Sequence, residues 1–359
     1  MSSTDPDPPQ AAVPLRRCGN SPLQLPVLGL GCWAYGGGDY WGSQSQRDVD
    51  SVVHDALGQG CNFFDTAEAY NNGASESSLG AALRGVPRDD VILCTKISPS
   101  NVGRGTLEAH CDASLRRLQA DYIDLYLVHW PVTAHSIRHF APDGTPVPSV
   151  TEAFDGLQRL QQSGKIRHIG VSNFGPARLA EALATGARIV VDELPYNLLS
   201  RAIELEALPF CRRHGIGVLG YMALQQGVIS DKYRQLDDLP AVRRRTRHFD
   251  SRKVPQARHG LPGAEAETAA ALRAIRAIAA RHGLPTSELA LKWAFSGDGI
   301  TSCLCGARNV PALREAIRAA REPLPAAVIA ELNRVTRPLL EALGPGFDYY
   351  EHPSNDRTK

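Results

Sequence analysis

The chain is defined first by what it lacks. No apolar run among its 359 residues reaches the roughly 18 needed to cross a bilayer as a helix, so a transmembrane anchor is excluded. Charge of one sign is not in excess. Lys and Arg total 39 against 38 for Asp and Glu, a net charge of +1, which gives no electrostatic reason to expect a nucleic-acid or membrane-surface partner. No Cys-x-x-Cys pair and no closely spaced Cys/His set occurs, which excludes the common structural zinc patterns and leaves no metal site to propose. The eight cysteines are scattered, mostly in apolar runs (Cys61, Cys94, Cys303, Cys305), and read as buried reduced thiols in a reducing, cytoplasmic setting. The Ser-, Asp- and Pro-rich start, Met1 to Gln10, has no charged-then-apolar signal pattern. We read residues 1–22 as a disordered leader.

What is present is an alternation that does not stop. Val27 to Cys32 reads as a strand, followed by the glycine loop Gly36-Gly37-Gly38. Strand-like apolar runs then recur at Cys61 to Phe64, Val91 to Ile97, Tyr122 to Val128, Ile166 to Val171, Ile189 to Glu193, Gly217 to Tyr221 and Thr301 to Cys305. Segments of helical periodicity separate them, such as Arg47 to Leu57 and Ser149 to Gln162 with Gly164 as its stop. Eight short apolar strands, each followed by a helix, predict a single (β/α)8 TIM barrel of class α/β over residues 23–345, with 346–359 as a C-terminal tail. The rival, an open doubly wound sheet, calls for Gly-x-Gly-x-x-Gly after the first strand. Here Gly29-Leu30-Gly31 runs into Cys32-Trp33-Ala34-Tyr35, so that fingerprint is missing. Three connections are long: Pro131 to Pro148, about 230 to 262, and everything from Leu324 on. The basic run Arg243-Arg244-Arg245-Thr246-Arg247 falls in the second and reads as a solvated loop.

The polar residues that close the strands carry the chemistry. Asp65 follows Asn62-Phe63-Phe64, with Tyr70 five residues on. Lys96 sits near the end of Val91 to Ile97, and His129 follows Ile123 to Val128. In a barrel the C-terminal strand ends converge on one face, so these four groups share one cavity. A phenol is a poor acid at neutral pH. A nearby ammonium lowers its pKa, and a carboxylate behind the ammonium keeps that charged and aimed. A neutral histidine beside them can orient a carbonyl oxygen. Such a set suits protonation of an oxygen becoming an alkoxide, the proton half of carbonyl reduction, whose hydride must come from a cofactor.

The same residues carry a resemblance. Gly60-x-Asn62-Phe63-Phe64-Asp65-Thr66-Ala67-x-x-Tyr70, the lysine of Thr95-Lys96, Asp124-Leu125-Tyr126-Leu127-Val128-His129-Trp130-Pro131, and Gly164-Lys165-Ile166-Arg167-x-Ile169-Gly170-Val171-Ser172-Asn173-Phe174 resemble the signature motifs of the aldo-keto reductases over about Leu28 to Ala320. The resemblance implies a barrel that reduces aldehydes or ketones with NADPH, with NADH the less expected cofactor. It implies Tyr70 as general acid, tuned by Lys96 and Asp65, with His129 positioning the carbonyl, and Trp33 and Trp130 at the substrate pocket. Ser172 and Asn173 match the pair that hydrogen-bonds the nicotinamide carboxamide, and Tyr221 the aromatic that stacks on its ring. In Gly306-Ala307-Arg308-Asn309, Gly306 and Arg308 match the loop near the adenosine 2′-phosphate, with Arg314 as a reserve.

Several positions depart from the family's pattern. Glu193 stands where a glutamine is usual, so an ionised Glu193 would favour NADP+ over NADPH unless burial protonates it or it turns away to pair with a neighbouring cation. Met222-Ala223-Leu224-Gln225 replaces Ser-Pro-Leu-Gly, leaving Leu224 at the pyrophosphate without the neighbouring hydroxyl. Ala312 and Ala316 stand where Gln and Asn usually hold the adenine. The partner expected is a small-molecule carbonyl compound, on a monomer or small homo-oligomer. A cofactor-binding subunit of little turnover, like the potassium-channel β subunits of this family, is the alternative the motifs leave open.

Overall fold

A computed structural model describes residues 12–359. Eight parallel strands close into a barrel in chain order, the last pairing with the first. A short antiparallel hairpin, β1 (Leu15–Arg17) and β2 (Gln24–Pro26), precedes them. The barrel strands are β3 (Leu28–Gly31), β4 (Phe63–Asp65), β5 (Ile92–Ile97), β6 (Ile123–Val128), β7 (Ile166–Ser172), β8 (Ile189–Pro195), β9 (Gly217–Tyr221) and β10 (Ile300–Cys305). Around them lie α1 (Gln46–Gly58), α2 (Ala74–Ala82), α3 (Leu107–Leu118), α4 (Ala134–Ile137), α5 (Val150–Gln162), α6 (Pro176–Ala184), α7 (Ala207–His214), α8 (Glu265–Arg281), α9 (Thr286–Phe295), α10 (Val310–Arg321) and α11 (Ala326–Leu343). No described helix is long and apolar enough to cross a membrane.

Period-two alternation divides each strand's side chains between two cores. Phe64, Tyr126, Val128 and Ile169 pack outward against the helices. Phe63, Cys94, Leu125, Leu127, Val191 and Leu219 fill the barrel itself. One step of two along the strands, just past that apolar filling, come Asp65, Lys96, His129, Glu193 and Tyr221. Strand register alone therefore lifts these polar groups to the C-terminal rim.

The expected leader over 1–22 fails from residue 15 onward, because β1 pairs with β2 and the hairpin closes the opposite end of the barrel. Cys18 and Leu25 are fully buried and join the interior cluster, and Asn20 N–H donates to Gly215 O at 2.8 Å. Gly19 sits at φ 53, and a Cβ there would lie 2.1 Å from Gly215 O, so only glycine permits the approach. Residues 1–11 of that leader lie outside the described residues. The segment from Leu324 is not a loop either. Pro325 opens α11, an 18-residue helix that contains Pro338 and packs on α8. Its buried face is Val328, Leu332, Thr336, Leu339 and Leu343, and such a stripe holds a helix together across one lost hydrogen bond.

The C-terminal tail, residues 346–359, is packed. Phe347, Asp348, Tyr349, Glu351, Arg357 and Thr358 are buried, and the segment returns across the C-terminal rim, where Gly175 N–H donates to Thr358 O at 2.8 Å. The basic run is packed likewise: Thr246 and Arg247 are buried, and Arg247 gives its guanidinium to the carbonyls of Leu343 and Gly346.

Candidate active site

Lys96 is the centre of the rim. Its Nζ lies 2.6 and 2.7 Å from the two Asp65 oxygens, 3.0 Å from Thr66 O and 3.4 Å from Tyr70 Oη. Glu193 Oε2 is 3.2 Å away, at ion-pair distance but without hydrogen-bond alignment. Lys96 is fully buried. Burial works against an ammonium, but Asp65 and Glu193 outweigh it and hold the lysine well above its ordinary range. Asp65, Cys94 and Glu193 also lie close enough together to hold a cation, and the Lys96 ammonium sits among the two carboxylates.

An ammonium has three protons to donate, and five oxygens surround this one. That imbalance falls on Glu193. Burial, then Asp65, push its carboxyl up to about 8, so at neutral pH it is mostly protonated and resembles the amide of a glutamine. Of the three outcomes open from the sequence, ionised, protonated or paired with a cation, the raised pKa points to protonation, with the Lys96 ammonium at 3.2 Å.

Tyr70 begins a tight turn after β4, in which Asn71 and Asn72 adopt left-handed φ of 51° and 52°. Asn71 Nδ2 donates to the carbonyls of Trp33 and Tyr35 at 3.1 and 2.9 Å, which fixes the turn against the β3–α1 loop. The expectation of a phenol pKa lowered by Lys96 is corrected. Burial around the hydroxyl pushes it above its ordinary value, and Lys96 offsets only part of that. The residue keeps some accessible surface, so water moderates the effect. The phenol is a proton store, with the ammonium placed to support the phenolate once the proton leaves.

His129 N–H donates to Ile97 O at 2.9 Å, continuing the sheet one residue beyond β6. Its ring meets that of Tyr70 edge-on, centroids 5.5 Å apart. Burial, then the charges of Lys96 and Arg357, hold its pKa well below the ordinary histidine value, so the imidazole is neutral. Its Nδ1 is buried without a partner.

On the opposite wall, Asn173 takes a left-handed φ of 65°. Its Nδ2 donates to His129 O (3.1 Å) and Ser172 Oγ (3.0 Å), and its Oδ1 accepts from Tyr221 Oη at 2.7 Å. Ser172 Oγ donates to Glu193 O at 3.0 Å. Neither residue caps α6, whose N-cap is Gly175 without a side-chain bond. Ser172, Asn173, Glu193 and Tyr221 thus form one wall continuous with His129 and Lys96. Leu224 lies beyond Tyr221 in a loop where Met222, Gln225 and Gln226 all have positive φ. Gly31, which ends β3, and Gly306, just past β10, lie side by side, and a Cβ on either would touch the other's backbone at 3.6–3.7 Å.

Arg308 is in use. Its Nε donates to Gln44 Oε1 (2.7 Å), Nη1 to Trp41 O (2.6 Å) and Nη2 to Ser43 O (2.5 Å), so it ties the β3–α1 loop to the β10–α10 loop. Arg314 is exposed and pairs with Asp55 at 2.7 Å, joining α10 to α1. Trp33 stacks on Tyr40 with centroids 5.1 Å apart and lies 5.9 Å from Tyr70.

Trp130 carries Arg357 on its face at 3.7 Å, and Asp348 accepts from Arg357 Nε and Nη2 at 2.8 Å each. Sequence reasoning missed this tail as a wall of the site. The signal was its aromatic density, Phe347, Tyr349 and Tyr350, which a solvated tail has no use for.

The comparisons agree with the geometry. The sequence profile described as "Aldo/keto reductase family" matches residues 27–337. The chain is 30% identical over 321 residues, 84% of it and 91% of the relative, to a protein of Escherichia coli (strain K12) named NADH-specific methylglyoxal reductase. It is 30% identical over 80% of its length, and 82% of the relative's, to Aldo-keto reductase YhdN of Bacillus subtilis (strain 168). Among solved structures, an aldo/keto reductase from Klebsiella pneumoniae in complex with NADP and acetate superposes with a TM-score of 0.64 at 26% identity, covering 87% of this chain and 92% of that one.

Proposed function

Because this chain belongs to the aldo/keto reductase family, an oxidoreductase family, we propose that it reduces an aldehyde or ketone to an alcohol with NADPH, using Tyr70 as the general acid. The observation that carries the reading is the buried contact of Lys96 Nζ with both Asp65 oxygens and with Tyr70 Oη. The hydride is supplied by NADP(H), the dinucleotide in the Klebsiella relative.

The residues present fit that dinucleotide. Asn173 and Ser172 form a polar pair beside the half-exposed ring of Tyr221, the donor set an amide-bearing aromatic ring requires. Protonated Glu193 adds a neutral carboxyl where the family usually has an amide. Leu224 and the side-chain-free Gly31 and Gly306 are the positions on these loops that a pyrophosphate would approach. Arg308 has five N–H donors and three are engaged, so two remain for a 2′-phosphate, which supports NADPH over NADH. The relative named NADH-specific shows that members of this family differ on the point. Arg314, held by Asp55, is not needed for this role.

The chain's own steps concern a proton and an oxygen. His129 is neutral and therefore donates one N–H to the substrate carbonyl without competing as a cation, drawing the oxygen beside the Tyr70 hydroxyl. Burial keeps Tyr70 protonated until charge develops on that oxygen. The proton then passes from Tyr70 Oη to the alkoxide, and the phenolate left behind is stabilised by the Lys96 ammonium, whose charge Asp65 secures. The test is NADPH and NADH oxidation, followed by absorbance, against a panel of aldehydes, ketones and sugars. Turnover of at least one carbonyl with NADPH, faster than with NADH, is expected. Silence across the panel with both cofactors defeats the reading.

A further inference from the structure

The loops above the well hold a cation that this reaction does not use. Arg245 lies over the ring of Tyr40, 5.0 Å from its centroid, and over that of Tyr350 at 5.5 Å. The β3–α1 loop supplies one ring and the C-terminal segment the other. Its Nε is buried without a hydrogen-bond partner, and among the described residues Arg245 forms no ion pair. The arginines near it are differently placed. Arg244 reaches Asp237 at 3.4 Å, Arg247 is spent on two carbonyls, and Asp348 binds Arg357 twice. Arg243 gives Nη1 to Gln226 O at 2.7 Å. Aromatic faces recover part of what a guanidinium loses on leaving water, but they supply no counter-charge.

Arg245 also belongs to the substrate side of the site. Tyr40 stacks on Trp33 at 5.1 Å, and Trp33 lies 5.9 Å from Tyr70, so one continuous aromatic wall runs from the proton donor to the cation. At the other end of that wall the Lys96 ammonium is engaged by both Asp65 oxygens and Glu193 is neutral at neutral pH, so the floor offers an incoming anion no free cation. A molecule with a negative group at one end would place its anion at the roof, on Arg245, and leave its other end at the floor.

We propose that Arg245 is the anion-binding residue of the substrate pocket, and that the preferred substrates are aldehydes or ketones bearing a carboxylate or phosphate. The planar guanidinium fork matches two oxygens of either group. This rests on the carbonyl-reductase reading above.

The test compares matched aldehydes: glyceraldehyde 3-phosphate with glyceraldehyde, and 4-carboxybenzaldehyde with methyl 4-formylbenzoate. Each is assayed with the wild type, Arg245→Gln and Arg245→Lys, and NADPH binding is titrated in all three proteins by fluorescence. The wild type should favour the charged member of a pair. Arg245→Gln should raise KM for that member about tenfold or more, the scale of a lost charged hydrogen bond, while the neutral member and NADPH binding stay within about threefold. Arg245→Lys should restore part of the loss. Unimpaired turnover of the neutral aldehydes shows that the variants fold. Equal losses on charged and neutral members would overturn the proposal, as would a matching loss of NADPH affinity, which would assign Arg245 to the dinucleotide. A wild type that reduces both members alike sinks the anion site alone. A wild type that reduces none of the four, nor any carbonyl of the wider panel, with either cofactor takes the reductase reading down, and the proposal with it.

Discussion

Glu193 shows how far a single residue can be read from sequence. Its departure from the usual glutamine was visible, and so was the conflict it creates, a carboxylate beside a ring that becomes positive on oxidation. What decides its charge is the company it keeps. Asp65 is its close neighbour, and no hydrogen bond satisfies its Oε2. With its pKa raised to about 8, Glu193 is neutral below that pH and ionised above it. The folded form holds the proton more tightly than the unfolded chain, so the stability gained from protonation is full below the ordinary glutamate range. It is lost as pH rises toward 8. Ionisation in turn favours the cationic nicotinamide of NADP+. We predict that the ratio of NADPH to NADP+ dissociation constants rises several-fold between pH 6.5 and 9 in the wild type, on the scale of about 1 kcal/mol between partly screened charges. Glu193→Gln should flatten that profile. A ratio that follows pH equally in both proteins places the titrating group elsewhere. Tyr70 carries the corresponding lesson: sequence gave its neighbour Lys96 but not the depth of burial, and burial sets the sign of its shift.

At the scale of elements, the loops and the C-terminal segment do more than connect. Arg308 joins two loops through three hydrogen bonds and keeps two donors in reserve. Arg308→Ala should therefore weaken NADPH binding by about 1.5–3 kcal/mol, the range for a charged hydrogen bond. It should weaken NADH binding by a smaller amount that reflects only the loosened β3–α1 loop, a difference that fluorescence titration of both dinucleotides would resolve. Equal losses would move the phosphate site away from Arg308. The Asp348–Arg357 pair is almost fully buried on both sides and pins the returning segment onto Trp130. Asp348→Asn strands the guanidinium, at a cost of about 3–5 kcal/mol for a broken buried pair, and calorimetry should record a thermal midpoint lower by several degrees. An unchanged midpoint would mean that the segment is not held this way. Arg357 pairing also holds the Asp348 carboxyl below its usual range. The stability it lends is accordingly present at neutral pH and lost as the solution is acidified.

At the scale of the whole molecule, the barrel was legible because its signal repeats. Each strand–helix unit is short, apolar and bounded by turn residues, and eight of them admit few closures. The rim was legible for the same reason, since a residue two positions past a barrel-filling side chain has only one place to go. What escaped was structure with no period. The β1–β2 hairpin is held by a glycine contact and by Cys18 and Leu25 inside the barrel, α11 contains a proline, and the final residues are placed by ion pairs, among them Asp348–Arg357 and Arg258–Glu351, and by aromatic packing. Such segments owe their conformation to partners distant in sequence, and no local pattern announces them. All of these parts converge on a buried phenol beside an ammonium, so the account stands on Tyr70. The measurement that tests it most directly is single-turnover NADPH oxidation with an aldehyde the wild type reduces, run beside Tyr70→Phe, with NADPH affinity titrated in both. The variant should bind NADPH as the wild type does and lose about 10²–10⁴-fold in rate, the contribution of a general acid. A Tyr70→Phe protein that reduces the aldehyde at the wild-type rate would contradict the account.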